Sequence, residues 1–162
     1  MKDKETQQTF ERLVENNPEL FWPIQIELAE KEMSRSKGKQ RLDLRLELSL
    51  NDRCQSCVVE IDSTSTPKSV DRKIREVRRY SNEIEAGDCP ALLVRHLSEK
   101  VAEVVKDRRM SALDLNGNYI IQTPEFAAVR LDQKNSFPRS RQIKNVYRGT
   151  TSIVGRFLLQ GP

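Results

Sequence analysis

The sequence predicts an α/β domain built on one mixed sheet, and two features of the 162-residue chain support this prediction. Before residue 63, three segments alternate apolar with polar residues, which is the period of half-buried β-strands. After residue 63, helical patterns lie between apolar runs, and a helix that connects two strands implies that those strands are parallel. Antiparallel and parallel pairs together give a mixed sheet in the order α-β-β-β-α-β-α-β.

The opening helix is predicted from apolar residues at helical spacing between Phe10 and Val14. Asp3 or Thr6 is the expected N-cap. Pro18 ends the helix because proline disfavours helical conformation in the residue before it.

Three strands follow as a meander. Ile24 begins one alternating segment, and Leu42 to Leu50 forms a second one beyond a polar loop, so the two are expected to pair as an antiparallel hairpin. Asn51 and Asp52 then turn the chain into a third strand, Gln55 to Asp62.

A carboxylate pair stands at the junction between this third strand and a basic helix. Strand alternation puts Glu60 and Asp62 on the same face, close to the end of the strand. Thr66 and Pro67 supply an N-cap and a first helical residue, and an apolar stripe recurs at helical spacing from Val70 onward. Acids that can hold a metal ion beside a basic helix indicate phosphodiester chemistry.

Positive charge is concentrated in that helix and in the C-terminal part of the chain. The helix carries six cations against two acids, and residues 133–162 carry six more and no acid, although the whole chain nets only +4. Such surfaces attract a polyanion, and DNA is the expected partner. A solvated helix face and a solvated arm are the alternatives. The predicted nucleic-acid contacts are Lys68, Arg72, Arg75, Arg79, Arg139 and Arg141.

The second half of the chain predicts the remaining elements. Pro90 to Val94 is a short apolar run, as expected of a strand that is buried on both faces. Ser98 caps the next helix, and Ser111 to Gln122 gives a strand, an Asn-Gly turn and another strand. Phe126 to Leu131 can add one more strand.

Composition indicates a soluble globular protein, with 36% hydrophobic and 32% charged residues. No apolar run reaches the length of about 18 residues that a membrane span needs. The first residues contain no apolar segment that resembles a signal peptide. We therefore expect a cytoplasmic protein with no membrane partner.

The three cysteines leave two interpretations open. Cys54 and Cys57 form one CxxC pair, and Cys89 with His96 would have to complete the four ligands of a structural zinc site. The alternative is that the cysteines are small residues in a hairpin, which we favour because there is no second CxxC pair. His96 is also a candidate catalytic base.

Residues 1–131 are predicted to form one domain, and residues 132–162 a basic linker that leads into a further region. Ser152 to Leu159 has the pattern of a helix, yet little sequence follows against which its apolar residues could pack. We expect that the chain is cut from a longer protein, and that this helix is either frayed or docked on a second copy in a homodimer.

The order of elements, with an acid on the second strand and two acids at the end of the third, resembles the PD-(D/E)XK restriction-endonuclease-like superfamily. The segments VVEIDST and LDLNGNYII are similar to a prokaryotic group of that superfamily that has an Asp-Leu-x-Gly-Asn motif and a C-terminal winged helix. The resemblance covers residues 20–162 and implies a restriction-endonuclease-like fold. It also implies that residues 132–162 lead into a winged-helix-like region.

The resemblance also implies a site. Asp43 and Glu60 correspond to the carboxylates that bind Mg²⁺ or Mn²⁺, with Asp62 as a third acid where the superfamily usually has lysine. Lys73 is a candidate substitute for that lysine, and Tyr80 lies on the same border of the helix. The motif residues that complete the predicted site are Asp114 and Asn118.

Two functions remain open. The first is a metal-dependent nuclease, or a degenerate relative of one, that acts on DNA. The second is a non-catalytic module that binds nucleic acid or protein and has lost the catalytic lysine. Simpler interpretations exist for parts of this site: Asp43 as a solvent-facing acid, and Asp114 to Asn118 as a hairpin turn in which Asn116-Gly117 supplies the positive φ of type I′.

Overall fold

The structure is a computed structural model that describes residues 2–34, 41–79 and 87–138, with the backbone alone at residues 30–34 and 41–43. The elements, in chain order, are α1 (Asp3–Asn16), β1 (Gln25–Ser34), β2 (Arg41–Leu50), β3 (Arg53–Asp62), α2 (Pro67–Arg79), β4 (Cys89–Val94), α3 (Glu99–Asp107), β5 (Ser111–Asp114), β6 (Tyr119–Gln122) and β7 (Ala127–Arg130).

Within the described residues, seven strands form one sheet in the order β1-β2-β3-β4-β5-β6-β7. The pairs β3/β4 and β4/β5 are parallel, and the other four pairs are antiparallel. Helices α2 and α3 make the two parallel connections. The predicted fold class is confirmed: the protein is α/β, with a mixed sheet whose order of elements is compatible with a restriction-endonuclease-like fold.

The sheet is covered on both faces because its central strands are apolar on both sides. One face packs against α1 through residues such as Phe10, Leu46 and Val59. The other face packs against α2 and α3 through residues such as Ile74 and Leu92. Burial of apolar surface on two faces explains why the β4 segment has no polar alternation.

Helix α1 begins with a cap that the sequence did not predict. Lys2 is the N-cap, so the predicted caps Asp3 and Thr6 are wrong. The backbone N–H of Lys2 donates to Glu5 Oε2 at 2.9 Å, which fixes the first turn. Thr6 lies inside the helix and is buried.

The other predicted helix starts are confirmed. Thr66 Oγ1 accepts a hydrogen bond from the backbone N–H of Ser69 at 3.2 Å, and Pro67 is the first residue of α2. Ser98 caps α3 by accepting from the backbone N–H of Val101 at 3.4 Å. These caps fix where α2 and α3 leave the ends of β3 and β4.

The CxxC pair lies on β3, where residues three apart point to opposite faces of the sheet. Cys54 is exposed and Cys57 is buried, and both are free thiols. Across the described ranges, no group of three or more His, Cys, Asp or Glu side chains is arranged to hold a metal ion.

The start of the predicted linker lies against the domain. Ser136 N donates to Asn116 Oδ1 at 2.7 Å, and Phe137 O accepts from Arg95 Nη2 at 2.6 Å. The remainder of the predicted linker and the predicted final helix, residues 139–162, lie outside the described residues. None of the helices in the described ranges combines the length and the hydropathy of a membrane span.

Candidate functional site

Glu60 and Lys73 meet between β3 and α2. Glu60 lies on the face of β3 that α2 covers, and its Oε2 is 3.5 Å from Lys73 Nζ. The two side chains are only 16% and 21% exposed, respectively. A charge pair that is this shielded from water is screened less by salt than a surface pair. The structure therefore brings together two of the predicted catalytic residues.

Asp43 lies on β2, next to β3. The two strands pair antiparallel with Leu44 opposite Val59. Leu44 and Val59 are the last pair at this end of the ladder, and Asp43 and Glu60 are their next neighbours along the two strands. Residues that extend an antiparallel pairing in the same register have Cβ atoms about 4.5–5.5 Å apart. The side chain of Asp43 lies outside what the structure describes, so its placement comes from the backbone register alone.

Asp62 is buried and holds the loop between β3 and α2. Its Oδ1 accepts hydrogen bonds from the backbone N–H of Thr64 at 2.9 Å and of Ser65 at 3.3 Å. Its Oδ2 accepts a hydrogen bond from Ser69 Oγ at 2.6 Å. Because Ser69 lies in the first turn of α2, the carboxylate links the end of the strand to the start of the helix.

Ser65 connects this loop to the next one. Its φ of 49° is in the left-handed region, which is unfavourable for a residue with a Cβ atom. Its Oγ donates to Asp62 O at 3.0 Å and accepts from the backbone N–H of Arg95 at 2.7 Å. These two hydrogen bonds hold the unusual conformation and join the carboxyl ends of β3 and β4.

Asp114 is fully buried at the carboxyl end of β5, and its carboxylate accepts several hydrogen bonds. Its Oδ1 accepts from the backbone N–H groups of Asn116 at 2.8 Å and Asn118 at 2.9 Å. Its Oδ2 accepts from the backbone N–H of Leu97 at 2.9 Å and from Asn118 Nδ2 at 2.8 Å. His96 Nδ1 lies 3.3 Å from the same oxygen. Three predicted residues, Asp114, Asn118 and His96, are thus in contact.

The asparagines of this turn extend the network to other segments. Asn118 Nδ2 donates to Gln133 O at 3.0 Å, and Asn118 Oδ1 accepts from Gln133 N at 2.8 Å. Asn116 Nδ2 donates to Arg95 O at 3.1 Å. The turn therefore fixes the loop after β4 and the segment after β7, which is a structural role.

The predicted type I′ turn at Asn116-Gly117 is wrong. Gly117 has a φ of 89°, whereas Asn116 does not have a positive φ. Asp114 N donates to Asn118 O at 3.0 Å, so three residues form the loop instead of two. The side chain of Asn116 donates from Nδ2 to Arg95 O and accepts at Oδ1 from Ser136 N. These tertiary hydrogen bonds favour the three-residue loop.

Four of the six cations predicted to contact nucleic acid lie on α2. These four residues are all exposed to solvent: Lys68, Arg72, Arg75 and Arg79. Arg72 pairs with Glu76 at 3.8 Å and Arg75 with Asp71 at 2.9 Å, one helical turn apart in each case. Exposed pairs of this kind are weak, so a phosphate group can compete for the arginines. Tyr80, Arg139 and Arg141 lie outside the described residues.

The sequence prediction missed residues that connect these parts, above all Arg95 and Ser69. Arg95 is buried although it carries a charge. The signal was its position directly after an apolar strand, where a cation is unusual. Ser69 gave no signal, since a serine in the first turn of a helix is common and its bond to Asp62 is tertiary.

Comparisons with known proteins are sparse. No protein-family model matches the chain, and no curated protein matches it. Among solved structures, the chain is similar to the EndoMS–dsDNA2 complex, with 13% sequence identity and a TM-score of 0.40. The match covers 67% of this chain and 44% of that chain, so it spans less than half the length of that protein.

Proposed function

We propose that the chain is a metal-dependent nuclease domain that acts on DNA, with Asp43 and Glu60 as metal ligands and Lys73 as the catalytic cation. The observation that carries the proposal is the 3.5 Å contact between Lys73 Nζ and Glu60 Oε2. The strand pairing supports it, because Asp43 and Glu60 are the next residues beyond the paired Leu44 and Val59 on adjacent strands.

The donor set fits Mg²⁺ or Mn²⁺. Hard divalent cations take oxygen ligands, and Mg²⁺ is commonly bound by one or two carboxylates together with waters and substrate phosphates. Two acids on adjacent strands meet that need without a third protein ligand. When bound, such an ion supplies Lewis-acid stabilisation of the phosphate and an activated water.

Lys73 would act on the scissile phosphate from α2. Its ammonium lies at the acid site and can donate to a phosphate oxygen as negative charge develops there. In the resembled superfamily a lysine of the third strand has this place, and here Asp62 occupies that position. Lys73 would supply the same positive charge from the neighbouring helix.

Asp62 is a positioning residue in this proposal. Its oxygens accept from the backbone N–H groups of Thr64 and Ser65 and from Ser69 Oγ. These bonds tie the end of β3, which carries Glu60, to the start of α2, which carries Lys73. Asp62 would therefore fix the geometry of the pair without touching the substrate.

The exposed cations of α2 would hold the DNA backbone beside this site. Lys68 and Arg79 lie at opposite ends of the helix, and both are exposed. Contacts to phosphates position DNA without reading its sequence. Arg139 and Arg141 are further proposed phosphate contacts, and they lie outside the described residues.

The second candidate is a binding module without catalysis. The observation that favours it is the same Glu60–Lys73 ion pair, because an acid that is held by a lysine can be structural and need not bind a metal. In that case the basic face of α2 would still bind nucleic acid, but divalent ions would have no effect on the protein.

A Mn²⁺ titration separates the two candidates. We expect Mn²⁺ to raise the melting temperature of the wild type in a saturable way, because a ligand of the native state stabilises it. Glu60→Gln should abolish the effect, whereas Glu76→Gln on the outer part of α2 should retain it. A wild-type protein that responds to Mn²⁺ no more than Glu60→Gln would contradict the nuclease proposal and favour the binding module.

A further inference from the structure

A cavity opens at the carboxyl ends of the parallel strands, apart from the acid site. Its volume is about 140 Å³, and it is lined by Ser65, Arg95, His96, Ser98, Asn135 and Phe137. These residues come from the loops after β3 and β4 and from the segment after β7. The carboxyl edge of parallel strands is where open α/β sheets commonly bind ligands.

Arg95 is the central feature of this cavity. The residue is only 8% exposed, yet it makes no ion pair with any carboxylate in the part of the chain that the structure describes. Nη2 donates to the neutral carbonyl of Phe137 at 2.6 Å. Nε is buried and has no hydrogen-bond partner among the described residues. A buried charge without a counter-ion is costly, so this arrangement indicates an anionic ligand.

The other polar groups of the lining are also suited to an anion. The contact of His96 Nδ1 with Asp114 Oδ2, at 3.3 Å, orients the imidazole and leaves Nε2 for a ligand. Ser98 is the N-cap of α3, and the amide N–H groups of a helix N-terminus attract negative charge. The hydroxyl of Ser65 adds a further polar group.

The nearby acids do not supply the missing counter-ion. Asp62 accepts from two backbone N–H groups and from Ser69 Oγ. Asp114 accepts from three backbone N–H groups and from Asn118 Nδ2. Each carboxylate is thus compensated by its own donors, and neither residue lines the cavity.

We propose that this cavity binds a phosphate group, held by Arg95, His96 and the N-terminus of α3. A cavity of similar volume, ~150 Å³, holds a benzene molecule in another protein, so there is space for one tetrahedral oxyanion. Phosphate is favoured over a carboxylate because its several oxygens can accept from donors that converge from different elements. The site shares no residue with Asp43, Glu60 or Lys73, so it does not depend on the nuclease proposal.

Inorganic phosphate is the first probe, at constant ionic strength adjusted with chloride. We expect a saturable rise in the melting temperature of the wild type. Arg95→Met and His96→Gln should each weaken phosphate binding by about tenfold or more, since each removes a hydrogen bond to a charged group. Arg12→Met, which removes an exposed arginine of α1 on the opposite face of the sheet, is the matched control and should bind phosphate as the wild type does.

The absence of a saturable response in the wild type, or an equal response in the wild type and both cavity variants, would overturn the proposal. If Arg95→Met does not fold, His96→Gln alone decides, because it leaves the buried arginine in place. Terminally phosphorylated and unphosphorylated oligonucleotides of one sequence then distinguish the sources. A preference for the phosphorylated strand that His96→Gln removes identifies a nucleic-acid end, whereas equal binding identifies free phosphate or a small phosphate ester.

Discussion

Glu60 and Asp62 are two residues apart on β3, but they have different partners and therefore different roles in the structure. Glu60 meets a lysine of α2 in a partly accessible place, whereas Asp62 is buried among donors of its own loop. Strand alternation correctly predicted that they share a face. It could not predict the loop donors, because Thr64, Ser65 and Ser69 reach Asp62 only once the chain turns back into α2.

Replacement of Asp62 tests its positioning role. Asp62→Ala should lower the free energy of unfolding by about 1.5–3 kcal/mol, because hydrogen bonds to a charged acceptor are lost in a buried place. Asp52→Ala, at an exposed turn position, should change it by less than about 0.5 kcal/mol. Denaturant unfolding measures both. Equal stability of the two variants would show that the loop network contributes nothing.

The cysteines make a second prediction at this scale. Burial, and to a smaller extent the nearby Cys89 and acids, raises the pKa of the Cys57 thiol from 9.0 to about 12. The thiolate is the reactive form, so Cys57 should resist a thiol reagent at neutral pH while exposed Cys54 reacts. Cys54→Ser should therefore remove the fast labelling phase, and Cys57→Ser should leave it unchanged.

The same pKa predicts how stability changes with pH. Above the unfolded-state pKa of 9.0, the thiol of Cys57 ionises in the unfolded chain but remains protonated in the folded one. Stability therefore falls as pH rises, by up to about 1.4 kcal/mol per pH unit. The wild type should lose more stability than Cys57→Ala does above pH 9.0. Parallel alkaline profiles of the two proteins would contradict the assigned burial.

At the scale of elements, the local sequence pattern predicted each strand and helix whose packing depends on its own apolar residues. Alternation predicted β1 to β3, and caps predicted the starts of α2 and α3. The turn after β5 differed because Asn116 bonds to Arg95 O and to Ser136 N, which are distant in sequence. Arg95 itself was missed because the sequence places it in a loop, while the fold buries it under the segment after β7.

Two glycines test how tightly this turn is packed. Gly117 and Gly87 both have positive φ, of 89° and 97°. A Cβ at Gly117 would lie 2.5 Å from Leu20 O, whereas one at Gly87 would meet nothing within 4 Å. Gly87→Ala should cost about 1–2 kcal/mol from backbone strain alone. Gly117→Ala should cost distinctly more, and equal losses in thermal unfolding would contradict the close contact.

Across the whole molecule, one mixed sheet holds two separate polar centres. Glu60 and Lys73 lie between the sheet and α2, and the cavity with Arg95 lies at the carboxyl ends of the strands. The sequence predicted the acids of the first centre from their strand positions. It could not predict the second centre, because that depends on three loops that meet only in the folded sheet.

Salt dependence tests the proposed DNA surface of the molecule as a whole. The logarithm of the DNA association constant should fall linearly with the logarithm of salt concentration, and Arg79→Ala should reduce the slope by about 1. Lys4→Ala, on α1 at the opposite face of the sheet, should leave the slope unchanged. Fluorescence anisotropy measures both, and equal slopes for Arg79→Ala and the wild type would exclude α2 from the interface.

Plasmid nicking with Mg²⁺ or Mn²⁺ tests the proposed activity most directly. The wild type should nick DNA only with a divalent ion, and Asp43→Asn, Glu60→Gln and Lys73→Met should each reduce the rate by roughly 100-fold or more, because each removes a charge at the reacting phosphate. Glu76→Gln, on the same helix, should cut at the wild-type rate. Nicking that survives the replacement of both Asp43 and Glu60 would show that the acid site does not carry the activity.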